Sequence, residues 1–310
     1  MILTITPNPA LDYTIRVDAL EIGRRAKYRD PAIDPAGKGI NVSRMARRLG
    51  EATLALGFAA GATGDLLRQS LDREGIPHEL VPVAGLTRIN VTLLTGPEGS
   101  ATHLHGPGDG VSAADVRRLL DRIAEQLPRA RILVLSGSLP PGMSPDAVVD
   151  LLSLARRQQV RAIVDAEGGL LAAAVGAGAD LVKPNLIEAA ELLGRPLAGV
   201  PDAAAAAREI VARGAAAAVI TMRGEGAVAS TAGRAWQVRA PREDVVRAIG
   251  AGDSFAAGLA VGLLRGDELP EALRLAAAAG TATALHPGTG LGSSEEVARL
   301  RERTEVRELA

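Results

Sequence analysis

The sequence predicts a doubly wound α/β fold carrying a second, smaller β-sheet. Short apolar runs alternate with amphipathic or Ala-rich helical stretches along the whole chain, the pattern of repeated β–α units. Runs such as residues 132–135 (Ile-Leu-Val-Leu) show no polar alternation, as parallel strands covered on both faces require. Residues 13–18, 25–33, 88–95 and 100–105 do alternate, so they belong to a separate sheet with one exposed face.

Ile2–Thr6 reads as a buried strand ended by Pro7 and Pro9. Asn8 and Asp12 lie just past it, where strand ends in an α/β sheet present polar groups to ligands. Residues 35–41 (Pro-Ala-Gly-Lys-Gly-Ile-Asn) open an amphipathic helix that reaches Leu49 and stops at Gly50. This Gly-rich start carries a lysine but lacks the glycine spacing of a P-loop. Residues 53–60 form a strand and 64–74 a helix closed by Gly75. Residues 88–95 and 100–105 flank Gly96-Pro97-Glu98-Gly99 as a hairpin. Ser112 caps a helix that runs to about Gln126. The strand at 132–135 ends in Ser136-Gly137-Ser138-Leu139-Pro140.

Residues 161–165 are a strand, 168–175 a helix, and 181–183 a short strand before Pro184-Asn185 and a helix from Leu186. A helix over 202–213 leads to a strand at 217–222 and the turn Arg223-Gly224-Glu225-Gly226. Strands at 227–230 and 234–238 follow. Helices then run from Gly250 to about Leu264, from Pro270 to about Leu285, and, after the turn at 286–290, to Arg303. The charged tail, 304–310, is expected to fray.

The bulk numbers exclude several function classes. With 47% apolar and 23% charged residues, the 310-residue chain can fill a globular core. It has 35 basic and 36 acidic residues, so no basic field is available for nucleic acid or an anionic membrane. Any anion site must be local. The absence of cysteine rules out disulfides, thiolate catalysis and Cys-ligated metal, and four histidines argue against a His-rich zinc site. The N-terminus reaches Pro7 too soon for a signal peptide, and no apolar run is long enough to span a membrane. A cytoplasmic location is expected.

Gly250-Ala251-Gly252-Asp253-Ser254-Phe255 is the stretch the rest of the chain serves. It follows strand-like Val245 and Val246 and opens an apolar helix. Two glycines there let backbone N–H groups face outward, and the helix dipole adds a positive field, so the stretch is an anion site. Asp253 among those donors is either a helix cap or a base that takes a nucleophile's proton beside a phosphate.

Together these motifs resemble the ribokinase/phosphofructokinase-B family of sugar kinases. The resemblance rests on residues 36–42 (Ala-Gly-Lys-Gly-Ile-Asn-Val) and 250–255. It extends through Thr87-Arg88-Ile89-Asn90, Ser136-Gly137-Ser138-Leu139-Pro140, Val182-Lys183-Pro184-Asn185 with Glu188, and His286-Pro287-Gly288-Thr289. It covers nearly the whole chain in the family's order. Residues 6–12 (Thr-Pro-Asn-Pro-Ala-Leu-Asp) point to the hexose-phosphate branch. That branch holds the minor-type 6-phosphofructokinase, 1-phosphofructokinase and tagatose-6-phosphate kinase.

The resemblance implies one ribokinase-like kinase domain over residues 1–310, with lid strands inserted at about 12–34 and 87–106. It implies ATP and Mg²⁺, and a homodimer packed through the lid sheets. Asp253 becomes the general base, and Gly250, Ala251 and Gly252 the anion hole. Asp12, Gly37, Lys38, Gly39, Asn41, Arg88 and Ser138 match the sugar side, and Arg25 and Lys27, alternate on one strand face, add cations there. Lys183, Asn185, Thr221, Gly224 and Gly226 border the nucleotide. Asn185 and Glu188 organise Mg²⁺, largely through water, although the same pair is also a capping box. Arg247 and Ala248 stand where the family often has Asp-Thr, and Asp165-Ala166-Glu167-Gly168-Gly169 replaces the usual Asp-Ser/Thr-Ser-Gly. His103 and His105 are read as exposed lid residues or substrate contacts. The expected reaction is fructose 6-phosphate to fructose 1,6-bisphosphate. Fructose 1-phosphate and tagatose 6-phosphate are the alternative substrates, and a non-catalytic sugar-phosphate-binding regulator is the alternative class. A dinucleotide oxidoreductase fails on position, because the first strand ends in Pro7-Asn8-Pro9 rather than in a G-x-G-x-x-G turn.

Overall fold

The computed structural model describes residues 1–95, 100–241, 243, 250–286 and 290–309. The first half contains β1 (Ile2–Thr6), β2 (Ala10–Val17), β3 (Arg29–Ala36), α1 (Lys38–Arg48), β4 (Thr53–Ala60), α2 (Gly61–Arg73), β5 (His78–Val83), β6 (Arg88–Thr95), β7 (Ser100–Leu104), α3 (Ala113–Gln126), β8 (Ile132–Ser136) and α4 (Asp146–Arg157). The second half continues with β9 (Arg161–Asp165), α5 (Gly168–Gly176), β10 (Leu181–Val182), α6 (Leu186–Leu193), α7 (Gly199–Ala212), β11 (Ala217–Thr221), β12 (Ala227–Thr231), β13 (Ala235–Arg239), α8 (Ala251–Arg265), α9 (Leu269–Ala284), α10 (Ser294–Glu302) and β14 (Glu305–Leu309).

The large sheet has ten strands in the order β14-β13-β12-β11-β10-β9-β8-β1-β4-β5. From β11 to β5 every pairing is parallel, and β12, β13 and β14 extend the edge antiparallel. Its inner parallel strands β1, β4, β8 and β9 are largely buried on both faces, which is why they read as unbroken apolar runs. One face packs on α3, α4, α5 and α7 through residues such as Leu119, Leu151, Leu171 and Ile210. The other packs on α1, α8 and α9 through Met45, Leu259 and Ala276. Strand order turns around at β1: β4 lies on one side of it and β8 on the other. Ligands of open α/β sheets bind in the crevice this reversal leaves at the strands' carboxyl ends.

The smaller sheet has the order β3-β2-β6-β7. Its register alternates chemistry between faces. Asp12 pairs with Asn90, and Thr92 with His103, on one face. Tyr13 pairs with Val91 and with Ile33, and Val91 with Leu104, on the other. That second face leaves Ile33, Ile89 and Leu104 about half exposed, at 45%, 45% and 54%. Among the described residues no helix is long and apolar enough to cross a membrane.

Three readings need correction or addition. The tail does not fray: β14 pairs with β13 from Arg239↔Glu305 to Ala235↔Leu309. The ladder is fastened by the Arg234–Glu308 pair and by Arg307 Nε donating to Gln237 Oε1 at 2.9 Å. Arg25 and Lys27 do not lie on a strand; β3 begins at Arg29, and both cations sit in the exposed connection before it. The alternation there lacks a partner, since the pairing with β2 starts at Arg16↔Arg29. Strand β5 and helix α4 are additions to the elements the sequence predicts; β5 is a half-exposed edge strand with Pro82 and no unbroken apolar run. The hairpin turn 96–99, Val245, Val246, Arg247, Ala248 and residues 287–289 lie outside the described residues.

Candidate active site

The carboxyl ends of β1, β8, β9, β10 and β11 share one edge of the large sheet, and α1 and α8 begin above it. Helix α1 starts close to β1. A Cβ at Gly37, where φ is +123°, would meet Thr6 Cγ2 at 2.6 Å, so only glycine lets the helix approach. Gly250 takes the left-handed conformation at the start of α8, with φ 72°. Ala251 and Gly252 open α8, and the first N–H groups of an α-helix have no partner within the helix itself. A Cβ at Gly252 would lie 3.9 Å from Lys183 Nζ, so that lysine stands beside the helix start.

Asp253 occupies the first turn of α8 and does not cap it; among the described residues no side chain caps this helix. It is 8% exposed, and Asn41 Nδ2 donates to its Oδ2 at 2.8 Å. Burial, with the nearby charge of Asp165, pushes its carboxyl up to about 6, against the pull of Asn41, Lys38 and Lys183.

Asp165, at the end of β9, is the centre of a buried charge cluster. Lys183 Nζ lies 3.2 Å from its Oδ1, and Lys38 Nζ lies 3.7 Å from the same oxygen. Lys38 Nζ is also 3.7 Å from Glu188 Oε1. The charge of Asp165 holds the Lys38 ammonium well above its ordinary range. Lys38 is thereby grouped with residues expected at the nucleotide rather than with Arg88. In the sequence Asp165 stands out only as the start of a stretch that departs from the family's usual Asp-Ser/Thr-Ser-Gly. Its place at a strand's carboxyl end was the available signal.

Asn185 and Glu188 form a complete capping box on α6. Asn185 Oδ1 accepts from Ile187 N and Glu188 N, and Glu188 Oε2 accepts from Asn185 N. Burial pushes the Glu188 carboxyl up. Thr221 is joined to the same corner: its N–H donates to Pro184 O at 3.1 Å, and it bridges to Asn185. Gly224 and Gly226 lie in and just after the 3₁₀ turn that follows β11.

On the other side of the crevice, Asn90 Nδ2 donates to Asp12 Oδ1 at 2.9 Å, and burial pushes the Asp12 carboxyl up. Arg88 spends two donors on backbone, Nη1 to Gly106 O at 2.9 Å and Nη2 to Asn8 O at 2.8 Å. Its Nε is buried with no partner among the described residues, and burial lowers its pKa. Asn8 Nδ2 in turn donates to Pro107 O and, at 3.3 Å, to Ser138 Oγ. Gly39, on α1, packs against β1, where a Cβ would reach Thr6 Oγ1 at 2.5 Å and Ile5 O at 2.8 Å. His103 Nδ1 shares a hydrogen bond with Thr92 Oγ1, and the His105 ring stands edge-on to it at 6.2 Å. The structure thus brings Lys38, Asn41, Asp253, Lys183 and Glu188 together around Asp165. Arg25 and Lys27 stay exposed outside that cluster.

Residues 7–296 match the pfkB family of carbohydrate kinases. The chain is 34% identical over 309 residues, the whole of both chains, to the 1-phosphofructokinase of Bacillus subtilis (strain 168). It is 35% identical over 302 residues to the ATP-dependent 6-phosphofructokinase isozyme 2 of Mycobacterium tuberculosis (strain CDC 1551 / Oshkosh), covering 97% of this chain and 89% of that one. The crystal structure of phosphofructokinase-2 from Escherichia coli in complex with potassium superposes with a TM-score of 0.92. That match has 33% identity and covers 97% of this chain and 98% of the other. The fold is ribokinase-like.

Proposed function

The chain belongs to the pfkB family of carbohydrate kinases, and from that premise we propose that it transfers the γ-phosphoryl group of ATP to O1 of fructose 6-phosphate. The products are fructose 1,6-bisphosphate and ADP. Asp253 carries the reading: a buried carboxylate in the first turn of a helix, held by Asn41 and flanked by two lysines. A base with a pKa of about 6 is ionised at neutral pH yet strong enough to take a hydroxyl proton in the transition state. The N–H groups of Gly250, Ala251 and Gly252 receive the charge of the transferring phosphoryl group, with Lys38 and Lys183 beside them.

Asp12, Gly37, Gly39, Asn41 and Ser138 border the sugar, and Arg88 meets its 6-phosphate. Asn185, Thr221, Gly224 and Gly226 border the nucleotide. The donors fit a Mg²⁺ ion held mostly by phosphate and water. Asn185 and Glu188 already spend oxygens on the cap, and among the described residues no group of three or more ligating side chains is present. Asn185 and Glu188 would hold the ion through water, and the raised Glu188 pKa leaves room for a cation to lower it. Bound Mg²⁺ neutralises phosphate charge.

Both sheets act as one kinase domain, the smaller as the lid over the sugar. Its exposed apolar face, with Ile33, Ile89 and Leu104, is covered by the lid of a second copy. A cytoplasmic location suits these substrates. A second substrate reading, fructose 1-phosphate phosphorylated at O6, is favoured by the full-length match to a 1-phosphofructokinase. A near-symmetric furanose can enter one pocket either way round. The test compares kcat/KM for fructose 6-phosphate, fructose 1-phosphate and tagatose 6-phosphate. A preference for fructose 6-phosphate is expected. A preference for fructose 1-phosphate replaces the substrate and leaves the kinase standing. No ADP release with any of the three makes the chain a non-catalytic binding protein.

A further inference from the structure

We propose that Arg44 and Glu74, which lie behind the site, orient the Asn41 amide and through it hold Asp253 for proton transfer. Asn41 and Arg44 are three residues apart on α1, so their side chains share a helix face. Arg44 Nη1 donates to Asn41 Oδ1 at 3.4 Å. With its oxygen engaged by a cation, the amide presents its NH₂ end to Asp253, and Nδ2 donates to Oδ2 at 2.8 Å. An amide turned the other way would set Oδ1 against the carboxylate and turn an attraction into a repulsion.

Arg44 is itself clamped. Its Nε donates to Glu74 Oε2 at 2.6 Å and its Nη2 to Glu74 Oε1 at 2.9 Å, a two-pronged fork. Arg44 is 8% exposed, so its end of the fork is shielded from water, while the Glu74 side chain reaches the surface. Glu74 stands at the C-cap of α2, the end where the helix dipole disfavours a carboxylate. Its pairing with Arg44 offsets that placement. The contacts Glu74–Arg44–Asn41–Asp253 therefore run from α2 through α1 to α8.

Other charged groups also face Asp253: Lys38 from α1, Asp165 from the end of β9, and Lys183 from just after β10. Glu188 on α6 acts on Lys38. These set the field around the carboxylate, whereas Arg44 sets the direction of the amide. Arg44 and Glu74 are positioning residues, and the inference rests on the reading of Asp253 as the base.

The test uses the full chain with Arg44→Met and Glu74→Gln. Three readouts are taken: a ¹³C carboxyl NMR titration of Asp253, assigned by its loss in Asp253→Asn; kcat and KM for ATP and fructose 6-phosphate; and Tm. Loss of an oriented donor disfavours the ionised form, so Asp253 should titrate at higher pH in Arg44→Met. On the acid limb, each unit of upward shift costs about tenfold in kcat, while KM for ATP stays at the parent value. Glu74→Gln should move the same readouts in the same direction by less. A folded variant with lower Tm and an unshifted Asp253 titration would overturn the proposal and leave the pair as a staple between α1 and α2. If Arg44→Met does not fold, the Glu74→Gln titration decides by the same criterion. A shifted titration with an unchanged kcat would support the positioning and overturn the general-base reading.

Discussion

Lys183 Nζ lies 3.2 Å from Asp165 Oδ1, and both side chains are almost wholly buried, at 4% and 2% exposure. A buried pair of this kind costs desolvation for each ion, and its breakage strands a charge. Asp165→Asn should therefore lower Tm, because Lys183 and Lys38 both lose a partner. The same change removes a charge that pushes the Asp253 carboxyl up. The acid limb of the kcat/KM profile should then move to lower pH. Differential scanning fluorimetry and a pH–rate series check the two effects, and an acid limb moved upward would contradict the assigned electrostatics.

Asp253→Asn keeps the shape of the side chain and removes its basic lone pair. Turnover should fall by about 10²–10⁴, with both substrates still bound. Stability should move the other way. The folded-state pKa is raised, from 3.8 to about 6, so the folded protein takes up this proton first as pH falls. Parent stability thus gains from this group as pH drops through about 6, and above that pH the buried charge costs on the order of 2–3 kcal/mol. Asp253→Asn should raise Tm by a few degrees at pH 8, and the gain should vanish by about pH 4. Calorimetry at the two pH values checks the sign.

Glu188→Gln retains a side chain that can complete the capping box of α6, so Tm should change little. It removes the negative charge available to a hydrated Mg²⁺. The Mg²⁺ concentration for half-maximal rate should rise, and a chelator should abolish activity in parent and variant alike. An unchanged Mg²⁺ titration would leave Glu188 as a cap alone.

Arg88→Ala should weaken sugar-phosphate binding by roughly 1.5–3 kcal/mol, the scale of a charged hydrogen bond, and leave KM for ATP intact. It should also lower Tm, since the carbonyls of Asn8 and Gly106 lose their donors. A fall in Tm with unchanged KM for the sugar phosphate would make Arg88 a brace for the loop at Gly106.

Leu104→Asp places a charge on the exposed apolar face of the small sheet. If two lids cover each other there, sedimentation velocity should show monomers for the variant and dimers for the parent. A parent that sediments as a monomer would leave that face for another partner.

The features legible in the order of residues are mostly local ones. The starts of α3, α6 and α10 are written in Ser112, Asn185 and Ser293, each with an acid three residues on to complete the box. The parallel strands β1, β4, β8 and β9 were legible because burial on both faces leaves an unbroken apolar run. The importance of the α8 start could be read from two glycines and an aspartate within four residues. Helix α4 begins at Asp146 without a capping box; Ser144 Oγ accepts the Asp146 N–H, but no acid three residues on completes the pattern. Features that depend on partners far along the chain emerge only on folding. Asn41 and Asp253 are 212 residues apart, yet they meet because α1 and α8 start over the same crevice. Asp165 became the centre of the charge cluster only when β8, β9 and β10 aligned their carboxyl ends. Strand β14 exists because β13 offers it an edge, and Arg25 and Lys27 miss a strand because β2 has ended its pairing before them. A strand's identity and a carboxylate's pKa are set by neighbours in space, and a linear pattern records only neighbours in sequence.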